Sequence, residues 1–188
     1  MTTIDVYNIV LEALGQRPIN GTSVDVADAS VAQIARFVNN SKANILNNNG
    51  YGFRFNVYSA TLAVDNATNT VPVNALAVRF KQSRYVVRTN NNVPCVFDTS
   101  TNSFASVPVE AVVVLDLNFA DLPNEAMNAI AYSACVAALV SIKGAVPEIE
   151  YYRKMYRQHL AALEAVHSAS DVGDGTGYNS LSARFYQV

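Results

Sequence analysis

The residues able to do chemistry are few, and their spacing does not assemble a reaction centre. His159 and His167 stand eight positions apart, whereas two helical metal ligands of the HExxH kind stand four apart. Packed or boundary imidazoles fit that spacing, with a pH response near the ordinary imidazole pKa as the lesser alternative. The run Asp171-Val172-Gly173-Asp174-Gly175-Thr176-Gly177 has the Asp/Gly character of a calcium loop. It lacks the later bidentate Glu and the regular ligand spacing, so it reads as a linker. Cys95 and Cys135 are the whole thiol complement, too few for a disulfide framework or a cysteine zinc site, and ordinary packed thiols are expected. The pairs Asp121/Glu125 and Glu148/Glu150 fall at helix starts, where the macrodipole accounts for acids. No GxSxG, P-loop or GxGxxG occurs, so neither catalysis, a cofactor nor a metal is expected.

Two further groupings could bind ligands. Arg79, Lys81, Arg84 and Arg88 interleave with Phe80 and Tyr85, a pattern able to hold nucleic acid. A net charge of -2 gives it no wider electrostatic footprint, and solvated strand faces explain it more simply. Tyr51, Phe53, Phe55 and Tyr58 could stack on sugars, though at the start of a strand they fit core and hinge better.

These residues hang on an α+β arrangement. A first helix, capped by Thr2 or Thr3, carries Ile4, Ile9, Val10, Ala13 and Leu14 at helical spacing until Gly15 and Pro18 end it. A second is expected from about Val26 to Asn48, with Val31, Ile34, Ala35, Val38 and Ile45 on one face and Asn and Gln on the other. Phe53 to Phe119 reads as a mostly antiparallel β domain. It begins with the alternation Phe53, Phe55, Val57 through Leu62, continues with Thr70–Val73, Leu76–Lys81, Tyr85–Thr89 and Pro94–Asp98, and ends in Ala111–Phe119. Turns are expected at 65–69, 90–92 and 99–102.

Two helices follow, about Pro123 to Lys143 and Glu148 to His167, joined by the break Gly144-Ala145-Val146-Pro147. The first, capped by Asp121, has no charge between Glu125 and Lys143 and must be covered on more than one side. The second carries the stripe Ile149, Tyr152, Tyr156, Leu160, Leu163 and Val166 opposite Glu150, Arg153, Lys154, Arg157 and Glu164, with Glu150 and Lys154 spaced to pair. The reading is a four-helix bundle of N- and C-terminal helices holding an inserted β domain. Its segments are 1–52 and 120–170 for the bundle halves, 53–119 for the β domain and 171–188 for a flexible C-terminal tail.

The composition, 51% hydrophobic and 15% charged, suits a globular chain whose low charge, against about a quarter in ordinary domains, implies surface hidden in contacts. The uncharged helix is Ala-rich and short of the roughly 20 strongly apolar residues of a membrane span, so no membrane is expected. Met1 to Asp5 lacks the basic and apolar regions of a signal peptide, so no export is expected either.

Three runs carry a family resemblance: Ile9-Val10-Leu11-Glu12-Ala13-Leu14-Gly15-Gln16-Arg17-Pro18-Ile19, Ile45-Leu46-Asn47-Asn48-Asn49-Gly50-Tyr51-Gly52-Phe53-Arg54-Phe55-Asn56, and Gly144-Ala145-Val146-Pro147-Glu148-Ile149-Glu150. In order and spacing, with Leu122-Pro123 and Gly177-Tyr178-Asn179, the chain resembles the tail tubular protein A family, the head-to-tail adaptors of short-tailed bacteriophages. It departs where the family often has Gly-Trp, since Gly50-Tyr51-Gly52-Phe53 stands there and the chain contains no Trp.

The resemblance implies a structural protein of the virion, placed in the tail at the portal vertex and assembled in the host cytoplasm. It implies a ring, dodecameric in the family, that joins the portal protein to the tail nozzle, a tail tubular protein B-type protein, and to the tail fibres. DNA would pass through its channel without specific binding. A ring needs two different surfaces per subunit, and Ala126, Ile130, Ala134 and Ala138 of the uncharged helix are the expected subunit interface. Tyr178, Leu181, Arg184, Phe185 and Tyr186 are the expected portal-binding tail. The alternatives are another virion connector or stopper, or a carbohydrate-binding tail module; an enzyme is the least supported.

Overall fold

The computed structural model describes residues 1–21, 29–65 and 68–167. Helix α1 (Thr3–Ala13) begins in a capping box: the Thr2 hydroxyl accepts the Asp5 N–H at 3.3 Å, and the Asp5 carboxylate accepts the Thr2 N–H at 2.6 Å. It stops at Gly15, whose φ of +71° lets the Gln16 N–H return to the Leu11 carbonyl. Helix α2 (Ala29–Asn47) runs into a single 3-10 turn at Asn48–Gly50. The expected beginning of α2 near Val26 lies outside the described residues.

The strands are β1 (Val57–Leu62), β2 (Val64–Asp65), β3 (Thr68–Asn69), β4 (Ala75–Phe80), β5 (Tyr85–Asn90), β6 (Val93–Asp98), β7 (Ser103–Phe104) and β8 (Val109–Leu115). They form two three-stranded sheets, ordered β1-β8-β4 and β5-β6-β7, and the small pair β2-β3. Every ladder is antiparallel. Asn91 and Asn92, both with positive φ, make the two-residue turn between β5 and β6, as Asn does at low cost. Helices α3 (Asn124–Ile142) and α4 (Glu148–His167) complete the α+β fold. Helix α3 packs against α1, α2 and α4.

Two apolar clusters result. The larger joins the four helices with Phe53; the smaller lies among the strands around Val96, Val113 and Tyr85. Nine residues of α3 are buried, five of them alanines, and these small side chains let three helices approach one central helix closely. By length and composition alone α3 could cross a membrane, yet it is the core helix, half buried within the chain.

Several expectations are corrected. The strand expected from Phe53 starts only at Val57, because residues 54–56 form a turn fixed by Asn56. The run Thr70–Val73 makes one bridge, Thr70 with Cys95; Pro72 has no N–H to extend it and Val73 stands almost fully exposed. The last strand ends at Leu115 rather than Phe119, where Asp116 turns to an ion pair with Lys42 at 2.9 Å. Asp121 does not cap α3: it lies in a short 3-10 turn, and Pro123 holds the N-cap position without a side-chain bond. Glu150 pairs with Arg153 at 2.6 Å instead of with Lys154.

Candidate assembly surfaces

The groups singled out for chemistry are spent on packing. His159 stacks on Tyr132 with ring centroids 5.1 Å apart. His167 meets Phe55 edge-on at 5.3 Å, and its Nε2 lies 4.0 Å from Glu125 Oε2. Among the described residues no three His, Cys, Asp or Glu side chains gather as a metal site. Both cysteines are buried, and burial pushes the Cys135 thiol up to about 12, where it is not a nucleophile at neutral pH.

The cations of the β region each meet a ring or a carboxylate of the same chain. Arg79 lies over the Tyr51 ring at 4.7 Å and Arg88 over Phe97 at 3.9 Å. Lys81 pairs with Glu110 at 2.8 Å. Arg84 lies 3.6 Å from Asp98 and donates to the Tyr85 hydroxyl at 2.6 Å. The Ser100 hydroxyl, together with its N–H and Arg84, holds the Asp98 carboxyl below its ordinary pKa. These guanidinium groups therefore serve the subunit's own rings and carboxylates rather than offering a phosphate track. Of the four aromatics considered for sugar stacking, Phe53 is fully buried, Phe55 stacks on it at 5.7 Å, and Tyr51 is covered by Arg79.

The joint between helices and strands is where the sequence places its strongest local constraint. The Asn56 carboxamide, 2% exposed, accepts the Phe53 N–H at 2.7 Å and donates to the Leu46 carbonyl at 2.9 Å and the Leu115 carbonyl at 3.0 Å. One side chain thus ties the end of α2, the turn and the end of β8. Gly52 beside it has φ +64°, and a Cβ there would lie 2.5 Å from Val57 Cγ2 and 2.8 Å from Val114 Cγ1. Arg54 N–H also bonds the carbonyl of His167 at 2.9 Å, bringing the end of α4 to the same joint. The strand alternation gives Asn56 no separate role; the signal that could have exposed it is an Asn three residues after the Gly52-Phe53 pair.

The expected interface residues sit elsewhere than on a free face. Ala126, Ile130, Ala134 and Ala138 are each 0% exposed, inside the core that α1, α2 and α4 of the same chain build around α3. Among the large apolar side chains that α3 and α4 leave to solvent in the described residues, three flank their shared corner: Val140 (49%), Ile142 (42%) and Tyr151 (57%). Val136, one turn before Val140, is half-buried. Tyr151 packs edge-on against Tyr152 at 5.1 Å, and Tyr152 lies 6.3 Å from Tyr132, so the corner is lined by an aromatic row. Val166 is exposed at the far end of α4. Tyr178, Leu181, Arg184, Phe185 and Tyr186 lie outside the described residues.

Comparison with known proteins gives these surfaces their setting. The family described as Tail tubular protein matches residues 4–169. The tail tubular protein A of Klebsiella phage KP34 is 32% identical over 173 residues, covering 85% of this chain and 88% of that protein. A solved structure described as the neck of an empty GTA particle, computed with C6 symmetry, aligns at a TM-score of 0.29 and 14% identity over 81% of this chain and 92% of its own; that score carries no inference. The match along most of the chain decides the matter: the chain belongs to the tail tubular protein family, as a structural protein of the phage tail and not an enzyme.

Proposed function

We propose that the chain is a head-to-tail adaptor: a ring, with twelve subunits as the expected number, that joins the portal to the tail nozzle and fibres and continues the channel for DNA ejection. The observation that carries the reading is the uncovered apolar corner of Val140, Ile142 and Tyr151 on a chain of this family, because a closed ring needs such a patch to meet a different surface of the next subunit. The interface is assigned to this corner, with Ala126, Ile130, Ala134 and Ala138 acting behind it by fixing the position of α3. Residues 1–52 and 120–170 would close as a four-helix bundle, and 53–119 would face the nozzle as the inserted domain. The tail residues Tyr178, Leu181, Arg184, Phe185 and Tyr186 would dock on the portal. Weak DNA contact follows from the net charge of -2 and from strand-borne cations already engaged inside the subunit.

Negative-stain microscopy of the purified chain with the portal of its own phage tests the reading. Rings seated at the portal vertex are expected, and a chain that stays monomeric and sediments apart from portal overturns it. Deleting 171–188 should weaken portal docking and leave the helices folded; unchanged docking removes the tail assignment.

A further inference from the structure

Among the four edge strands of the two larger sheets, β1, β4, β5 and β7, β5 and β1 carry backbone edges whose chemistry matches. In the β5–β6 ladder the Thr99 N–H donates to the Arg84 carbonyl at 2.9 Å, and Tyr85 is paired with Asp98. Val86, Arg88 and Asn90 therefore direct their N–H and C=O groups at β6, while Val87 and Thr89 direct theirs away from it. Pro94 opposite Thr89 agrees, since the ladder asks no donor of it there. Among the described residues no strand pairs with β5 on its outer side, and Val86 and Val87 are 36% and 42% exposed.

Strand β1 presents the same situation. The Leu115 N–H donates to the Asn56 carbonyl at 2.8 Å and Val57 is paired with Val114, so Ser59 and Thr61 turn their N–H and C=O groups outward. Both side chains are exposed, and no described strand lies beyond them. Open edges are normally blunted by lysine, proline, a bulge or a covering element. Neither strand contains Lys or Pro; β1 has no charge, and the one charge of β5, Arg88, is folded onto the Phe97 ring.

We propose that β5 of one subunit pairs with β1 of the next, joining their sheets at the ring contact. The proposal rests on the ring reading above. Charge selects the occupant. The cations flanking β5 have their acids in the same chain, Lys81 with Glu110 and Arg84 with Asp98, and Arg88, the one charge of the strand itself, lies over the Phe97 ring, so the edge carries a single positive charge and not the cationic track that a phosphate backbone needs. A strand without charge of its own meets it without repulsion, and β1 is one. Symmetry selects the pairing: β5 on β5 closes a two-fold dimer and stops, whereas β5 on β1 leaves each subunit one unused edge of each kind and continues around a ring.

Proline separates edge from ladder. Thr89→Pro removes an outward N–H of β5 without a β6 bond, and Thr61→Pro does the same for β1. Under conditions that give wild-type rings, sedimentation should find each variant monomeric, with circular dichroism and melting close to wild type. Their equimolar mixture should give a 1:1 dimer, because the intact β5 of one takes the intact β1 of the other and growth ends there. Normal rings from either variant overturn the pairing, and self-association of Thr61→Pro into a dimer overturns it in favour of β5 on β5. A wild-type chain that forms no ring overturns the ring reading itself, a separate result. If a proline variant fails to fold, Val87→Lys and Ser59→Lys place a charge on the same edges, and the same pattern of monomers and mixed dimer is required.

Discussion

The Asn56 carboxamide should hold a large share of the stability of the joint, and its two ends can be tested apart. Asn56→Ala leaves the Leu46 and Leu115 carbonyls and the Phe53 N–H without their present partners, at a site only 2% exposed. A buried polar group left unpaired costs about 1–3 kcal/mol; with water reaching some of the three, about 3–5 kcal/mol is the expected loss. Against a total of about 5–15 kcal/mol, and at about 2–4 °C per kcal/mol for a chain of this size, the melting temperature should fall by about 10 °C. Asn56→Asp divides the roles. It keeps the oxygen that accepts the Phe53 N–H, loses both donors, and sets a carboxylate against two carbonyl oxygens. If the side chain acts chiefly as a weld between α2 and β8, Asp is as damaging as Ala at neutral pH and partly recovers when acid restores an O–H donor. Calorimetry with urea unfolding at neutral pH measures both variants. Asn56→Asp within about 1 kcal/mol of wild type would refute the weld and leave only a turn cap.

Gly52→Ala should cost about 2–4 kcal/mol, from the positive φ and from a Cβ driven into Val57 and Val114; a urea midpoint equal to wild type would contradict the geometry. Ala134→Glu should unfold the chain, because an unpaired carboxylate enters a core with 0% exposure. Val140→Glu should leave circular dichroism unchanged while sedimentation shows weaker ring formation; a folded, ring-forming Ala134→Glu would show that the core around α3 is not closed within the subunit. Hydrogen bonds from Thr2 hold the Asp5 carboxyl below its ordinary pKa, and those from Ser100 do so for Asp98. With both folded values depressed, their stabilising contribution is present above about pH 4 and is lost as pH falls through the folded values. Replacing both by Asn should flatten the dependence of unfolding free energy on pH below that point, and an unchanged slope would remove them as its source.

The helices were legible because period and punctuation agree. Thr2 with Asp5, Gly15, the Gly144 to Pro147 break and the charge-free stretch of α3 each leave a local mark that the fold uses. The strands were legible where alternation is interrupted by Asn turns, as at Asn91-Asn92, and less so at their ends. Whether Phe53 to Asn56 is strand or turn depends on the carbonyls of Leu46 and Leu115, the second of them brought there by a strand far along the chain. No window of sequence contains that partner. The same limit governs the cations. Arg79, Arg84 and Arg88 look like a binding track until Tyr51, Asp98 and Phe97 are brought beside them.

Helix α3 shows why an apolar helix cannot by itself name its partner. All-round burial requires cover on every side, and the sequence is equally consistent with cover from the same chain or from a neighbour. Packing decides it position by position: small residues at 126, 134 and 138 draw α1, α2 and α4 in until nothing of them is left to a second subunit. Among the described residues cover thins at Ala137 and then at the C-terminal end, where Val140 and Ile142 stand exposed before the chain turns at Gly144. An assembly contact placed there is also placed at a corner whose geometry a positive-φ glycine sets. Replacing Gly144, which meets nothing within 4 Å, should therefore strain the turn without a clash, moving the corner before it disturbs the core.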